Sequence, residues 1–252
     1  MTEYGWVVAG LFLPLFPLGV IFNAVFQRAR HPGLRAALLL AWPLMGLYLL
    51  QVMPFTGSTG VTWWALCSAA LYGFRAVVVR EVSMWAGFLA TSSWSLIWVA
   101  LASGVKQDEL LMHALAFSLP LVLLVFLSAE LERRYESAFA GIVSGVAQAQ
   151  PRLAGLLVIT MLAVIGSPLF PAFFAMLNSM TQAVTALPVA AFGIALVWLL
   201  WSWSGMKLLQ ELLVGPATAT AHADVARGGL AIFALSLLTL VVGGLYLSGM
   251  ML

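Results

Sequence analysis

Charge is what this chain has least of. Asp, Glu, Lys and Arg together make up 8% of the residues, where a soluble domain has about 25%. With 63% hydrophobic residues, there is too little polar surface to coat a water-soluble globule. Cysteine is almost missing as well. Cys67 stands alone, which excludes an internal disulfide, a CxxC redox pair and a cysteine-ligated iron–sulfur cluster. His31, His113 and His222 share no metal-ligand spacing, so no metal site is expected. The net charge of +2 rests on scattered Lys and Arg, which gives no basic patch for nucleic acid. No acid/base pair or nucleophile–base pair is visible, so neither a catalytic residue nor a cofactor is expected in this chain.

What the chain has instead is uncharged apolar runs of the length needed to cross a bilayer, about 20 residues. They predict an all-α, polytopic transmembrane helix bundle forming a single domain over 1–252. Eight spans are expected at about 6–26, 34–53, 61–79, 83–103, 109–129, 153–176, 184–206 and 228–250. Glu3 stands where a signal peptide would carry positive charge, so the first run is expected to remain as a span.

The basic residues test this reading independently of hydropathy. Arg28, Arg30 and Arg35 fall in the first connection, Arg75 and Arg80 in the third. Arg133, Arg134 and Arg152 fall in the fifth, Lys207 and Arg227 in the seventh. Only Lys106 lies on the opposite side. The positive-inside rule makes the crowded face cytoplasmic, which predicts a bacterial inner-membrane protein with both termini outside. Residues 130–152 carry three acids and three bases and are expected as a cytoplasmic amphipathic segment or short helix. The loop 215–227 begins Gly215-Pro216 and contains His222. No internal repeat is evident.

An ionisable side chain inside a membrane is a functional hypothesis by default. None of the spans has an Asp, Glu, Lys or Arg near its middle. His113, one turn into the fifth span after Asp108 and Glu109, suits proton transfer near neutral pH; a histidine hydrogen-bonded to a neighbouring helix is the alternative. Lys207 and Glu211 stand i, i+4 and are expected to pair across one turn, to serve proton entry, or to be a snorkelling lysine with an interfacial partner. Gly166, Ser167, Pro168 and Pro171 interrupt the sixth span. Two prolines three residues apart remove backbone donors, and broken helices mark ion sites in transporters; a plain proline kink is the alternative. Trp94 with Trp98, and Trp198 with Trp201, read as packing or interface anchors, and Ser92, Ser93 and Ser95 as interhelical hydrogen bonds.

Four landmarks then occur in a telling order. AGFLATSSWS, from Ala86 to Ser95, resembles the "KRLLAYSSIS" helix of the antiporter-like, proton-conducting membrane subunits of respiratory complex I and its relatives. HALAF, from His113 to Phe117, is similar to that family's "HALFK". LAVIGSPLFPAFF, from Leu162 to Phe174, resembles its broken-helix region "LAGIPPLAGFF". KLLQELLVGP, from Lys207 to Pro216, resembles the helix ending in "FFGP". The resemblance covers residues 80–216, with an antiporter-like core at about 61–216. Such subunits contain two inverted helix units plus further spans, so one unit is absent or much reduced here. The family's lysines correspond to Ala86, Phe117 and about Met176 in this chain. Only the His113 position keeps a titratable group.

The resemblance implies a shortened subunit of a multisubunit complex coupled to the proton-motive force, completing or supporting a proton path. Its partners would be the lipid bilayer, a larger membrane subunit of the same family and a soluble or peripheral catalytic subunit. One alternative host is a DAB-type inorganic-carbon uptake complex, with a zinc-dependent, carbonic-anhydrase-like partner. Another reading is a structural scaffold without ion conduction. An autonomous small transporter would need a polar pore lining that the spans lack.

Overall fold

The structure, a computed structural model, describes residues 5–53, 58–216 and 223–251. His222, in the last connection, lies outside the described residues. Among the described residues eleven helices follow one another: α1 (Gly5–Phe12), α2 (Gly19–Arg28), α3 (Pro32–Val52), α4 (Thr59–Ala76), α5 (Val82–Ala102) and α6 (Gln107–Tyr135), then α7 (Val146–Ala149), α8 (Pro151–Val164), α9 (Pro171–Ala186), α10 (Pro188–Leu213) and α11 (Arg227–Met251). Among the described residues β-structure is limited to two isolated bridges.

Local chemistry sets the helix ends. Pro32, Pro151, Pro171 and Pro188 each open a helix, where the missing N–H costs no hydrogen bond. His31 and Ser58 cap α3 and α4 by accepting from Gly33 N and Val61 N. Asp108 and Glu109 sit in the first turn of α6, and Arg133 and Arg134 in its last, as the helix dipole favours.

Five helices, α3, α5, α6, α10 and α11, are each long and apolar enough to cross a bilayer. The other passes are α4 and two broken pairs, α1/α2 and α8/α9. In its membrane-crossing window α5 is 89% buried and α11 only 22%, which puts α5 at the centre and α11 at the rim. The sequence of α5 explains its place. Gly87, Ala86, Ala90, Thr91 and three serines let α2, α4 and α6 approach closely, while Trp85, Trp94 and Trp98 fill the gaps and are fully buried.

The first span, expected as continuous over 6–26, is interrupted between Phe12 and Gly19, a second break beside the one expected in 153–176. The sixth pass also runs on to Ala186, and α10 starts only at Pro188. A span that spends residues on a non-helical turn needs more of them to reach the far interface. Residues 130–135 do not form a separate amphipathic segment but finish α6. Beyond them the chain runs as an irregular strap. It is pinned by Val82 N to Ala138 O (3.1 Å) and Ala140 N to Arg80 O (2.8 Å), with only the one-turn α7 after it.

The basic connections meet at one end of the bundle. Arg35 lies 3.6 Å from Glu132 and Arg80 lies 3.6 Å from Glu211. Arg134 donates to the Ala223 carbonyl, and Asp224 accepts from Arg152 N at 2.8 Å. Connections one, three, five and seven therefore share a face, as the alternation of basic residues requires.

Candidate functional site

The first turn of α6 brings Glu109 and His113 onto one side. His113 is 1% exposed, and its Nδ1 lies 2.7 Å from the Glu109 carbonyl. A carbonyl only accepts, so Nδ1 carries a proton and the neutral ring keeps its lone pair on Nε2. Nε2 has no hydrogen-bond partner, although the Ala175 carbonyl of α9 is near enough to act on the ring. One turn further on, Asn178 Nδ2 donates to Glu109 Oε2 at 3.3 Å. The half-helix after the second break thus closes over the histidine and its neighbouring carboxylate. The sequence alone did not single out Asn178, because its partner is 69 positions away.

At the opposite end Ser83 Oγ accepts from Arg35 at 2.6 Å and bonds Ser128 Oγ at 2.8 Å. Glu132 stands 3.5 Å from both hydroxyls. Glu81, beside this cluster, has its carboxyl pushed up by burial; the Arg35 charge works against that shift and the Glu132 charge adds to it. Lys207 and Glu211 do not pair with each other. Lys207 donates to the Val77 carbonyl at 3.2 Å and Glu211 faces Arg80, so both tie α10 to the α4–α5 connection. Tertiary partners displaced the one-turn pairing that their spacing suggested.

Between these ends the bundle is filled by aromatic and aliphatic groups. Ala86, Phe117 and Met176, where the resemblance implies lysines, are 0%, 4% and 0% exposed. The Phe117 ring packs edge-on against Trp201 with centroids 5.7 Å apart. The hydroxyls nearby are already engaged: Ser92 takes Trp201 Nε1 at 2.8 Å and donates to Ala69 O, and Ser118 takes Trp94 Nε1 at 3.1 Å. The tryptophans and serines read as packing and interhelical hydrogen bonding do both.

The two breaks carry the same four residues: Pro14-Leu15-Phe16-Pro17 recurs as Pro168-Leu169-Phe170-Pro171. This short repeat was the signal for the first break. There, Trp42, Trp98, Ser95 and Trp64 donate to the carbonyls of Leu11, Leu13, Pro14 and Phe16 at 3.0, 2.9, 2.6 and 2.7 Å. Phe16 N donates to Ser68 Oγ at 2.9 Å. In the second break Trp198 serves the Ile165 carbonyl at 2.9 Å. Gly166 and Leu169 adopt positive φ of 73° and 86°, and Pro168 and Leu169 are exposed. Because α2 ends at the basic face and α8 begins there, the two broken helices run in opposite directions.

No protein-family model and no curated protein matches this sequence. Among solved structures, a chain of respiratory complex I from Thermus thermophilus with bound NADH matches with a TM-score of 0.84 and 21% identity, over 97% of this chain and 54% of that one. A chain of the Mrp complex from Dietzia sp. DQ12-45-1b matches with a TM-score of 0.76 and 17% identity, over 91% and 44%. A chain of the membrane-bound sulfane sulfur reductase, an archaeal respiratory membrane complex, matches with a TM-score of 0.75 and 18% identity, over 96% and 52%. The protein spans about half the length of these chains, and at such identities the likeness is one of fold. With the four sequence landmarks it gives the conclusion: this chain is a polytopic membrane protein built on the fold of the antiporter-like membrane subunits of complex I and its relatives.

Proposed function

We propose that this chain is a membrane subunit of a multisubunit, proton-motive-force-coupled complex, completing a proton path of a larger antiporter-like partner without carrying a whole one. The observation behind this is the filled middle of the bundle. His113 and Ser128, on the two polar ends of α6, are about 22 Å apart at 1.5 Å per residue. Between them on α6 the one polar side chain is Ser118, already occupied by Trp94. A proton relay needs groups that exchange hydrogen bonds at each step, and buried Trp85, Trp94 and Trp201 offer none at this distance. His113 can still exchange a proton at its unpartnered Nε2 while Nδ1 is held by the Glu109 carbonyl, at the outer end of a path that a neighbouring subunit continues. The same filled core favours a second reading, a scaffold with no proton role.

One pair of variants separates the two. If His113 takes part, His113→Ala and His113→Gln should both cut host activity per assembled complex with assembly intact, since glutamine hydrogen-bonds but carries no proton at neutral pH. If it only packs, glutamine should keep activity, while alanine loses assembled complex by leaving the Glu109 carbonyl without its donor, at about 1–3 kcal/mol. Full activity in His113→Gln leaves the scaffold reading. Whichever partner co-purifies in mild detergent, complex I-like or carbonic-anhydrase-like, identifies the host. The shared basic face supports a cytoplasmic orientation of that side, consistent with a bacterial inner membrane as the home of such a complex.

A further inference from the structure

α11 packs on α8 and α9 and leaves a groove on each side. The larger, of about 580 Å³, lies between α6 and α11 and is lined by Leu123, Phe126, Ala129, Ile232 and Phe233, with Arg133 at its basic-face end. The other, of about 440 Å³, lies between α8 and α11 and is lined by apolar groups with Arg152 at the same end. A smaller, polar hollow of about 350 Å³ joins the first groove through Arg133 and continues past Arg134, Ala223 and Asp224.

The charges around this mouth are uneven. Glu130 Oε2 serves both Arg133, at 2.6 Å, and Arg134, at 3.3 Å, so one carboxylate faces two guanidiniums. Arg134 is partly buried and spends a donor on the Ala223 carbonyl. Arg133, paired with Glu130 through Nη2, is 70% exposed and keeps its other donors for a further partner. The Asp224 carboxylate is turned away to the α8 N-terminus, accepting from Arg152 N and Leu153 N at 2.8 and 3.2 Å. Arg227 opens α11, and Arg30 and His31 precede Pro32, which also lines the groove. Glu132, turned to Arg35 at 3.6 Å, and Glu136, exposed beyond α6, are the remaining acids nearby.

We propose that the α6–α11 groove binds an anionic phospholipid of the cytoplasmic leaflet, its acyl chain against Phe126 and Ile232 and its phosphate on Arg133. A guanidinium matches phosphate oxygens in bidentate fashion, and basic pockets between spans on the cytoplasmic side recognise anionic headgroups. The groove opens sideways to the membrane, with Ile232 69% exposed, so a chain can enter from the bilayer. A helix of a partner subunit would need an acid at the right height to meet Arg133; the lipid brings its own.

The test reconstitutes the full chain into vesicles of equal parts phosphatidylglycerol and phosphatidylcholine, extracts it gently and counts retained lipids by native mass spectrometry. Phosphatidylglycerol should dominate. Arg133→Gln should retain about fivefold less of it, from roughly 1 kcal/mol per surface arginine, with phosphatidylcholine and Tm unchanged. Ser236→Phe, filling the groove without touching charge, should lower both lipids. Equal retention of the two lipids, or unchanged retention in Arg133→Gln, would overturn the proposal. So would a photo-crosslinking residue at Ser236 in native membranes that captures a polypeptide rather than an adduct of phospholipid mass.

Discussion

The first and second breaks share a four-residue sequence but not its surroundings. Around the first, four side chains from α3, α4 and α5 donate to four freed carbonyls, and Ser68 takes the Phe16 N–H. Around the second, Trp198 donates to Ile165, two residues take positive φ, and the α11 backbone presses in through Gly244. Non-helical backbone survives at membrane depth only when protein or a water-filled cavity satisfies it. The freed carbonyls of the first break are satisfied by protein side chains. The second has fewer side-chain donors to its carbonyls, and it leads directly into the half-helix over His113. A break can therefore be a closed architectural joint or an open one, and the proline motif does not decide which; the donors around it do.

The harshest way to break this comparison is at Gly244. A Cβ there would lie 2.2 Å from the Leu169 carbonyl oxygen, a backbone atom that cannot swing aside. Gly244→Leu should cost at or above the upper end of the ~1–3 kcal/mol range for overpacking, seen as loss of monodisperse protein in mild detergent. Gly249→Leu, on the same helix with nothing within 4 Å, should be silent. Equal behaviour of the two would mean that α11 does not press on the second break.

At the first break, Ser95→Ala and Trp98→Phe should each destabilise by about 1–3 kcal/mol, because each leaves a buried carbonyl without its donor. Activity per assembled complex should stay at the wild-type level. Trp198→Phe removes the corresponding donor from the second break and should lower both stability and activity, because the turn it steadies positions α9 over His113. Thermal unfolding followed with host activity on the same preparations separates the two breaks. A loss of specific activity in Ser95→Ala would put function at the first break as well.

Much of the fold could be read from the chain. The passes and their orientation follow from where charge is missing and where arginine returns, since a bilayer filters both properties directly. The second break was legible from Gly166 and its prolines. The first carried the same proline signal at Pro14 and Pro17, but Leu13, Leu15, Phe16 and Leu18 keep hydropathy high across it and masked that signal, since hydropathy reports side chains whereas a break concerns backbone. Its donors lie 31 to 85 positions away, beyond any local pattern. The same holds for the site. His113 was visible as a lone titratable group, but its setting depends on Asn178 and Ala175 from another helix. Lys207 and Glu211 were visible too, yet Val77 and Arg80 took them.

The smallest effects are the sharpest probe of how the second break is held. Its two positive-φ residues differ in kind: Gly166, φ 73°, has no side chain to strain, whereas Leu169, φ 86°, does. A left-handed conformation costs an L-residue roughly 1–2 kcal/mol that glycine escapes. Leu169→Gly should therefore relieve strain. The gain is offset in part because a flexible glycine loses more entropy on folding, by roughly 0.5–1 kcal/mol. Little packing is lost in exchange, since Leu169 is 54% exposed. Gly166→Ala should go the other way, adding strain and bringing a Cβ to 3.3 Å from Trp198 Nε1, the donor that serves this break. Melting curves of the two variants in one detergent should thus shift in opposite directions, Leu169→Gly upward or level and Gly166→Ala downward. If Leu169→Gly instead falls as far as Gly166→Ala, the leucine side chain holds the turn through contacts that outweigh its backbone strain, and the second break is as closed a joint as the first.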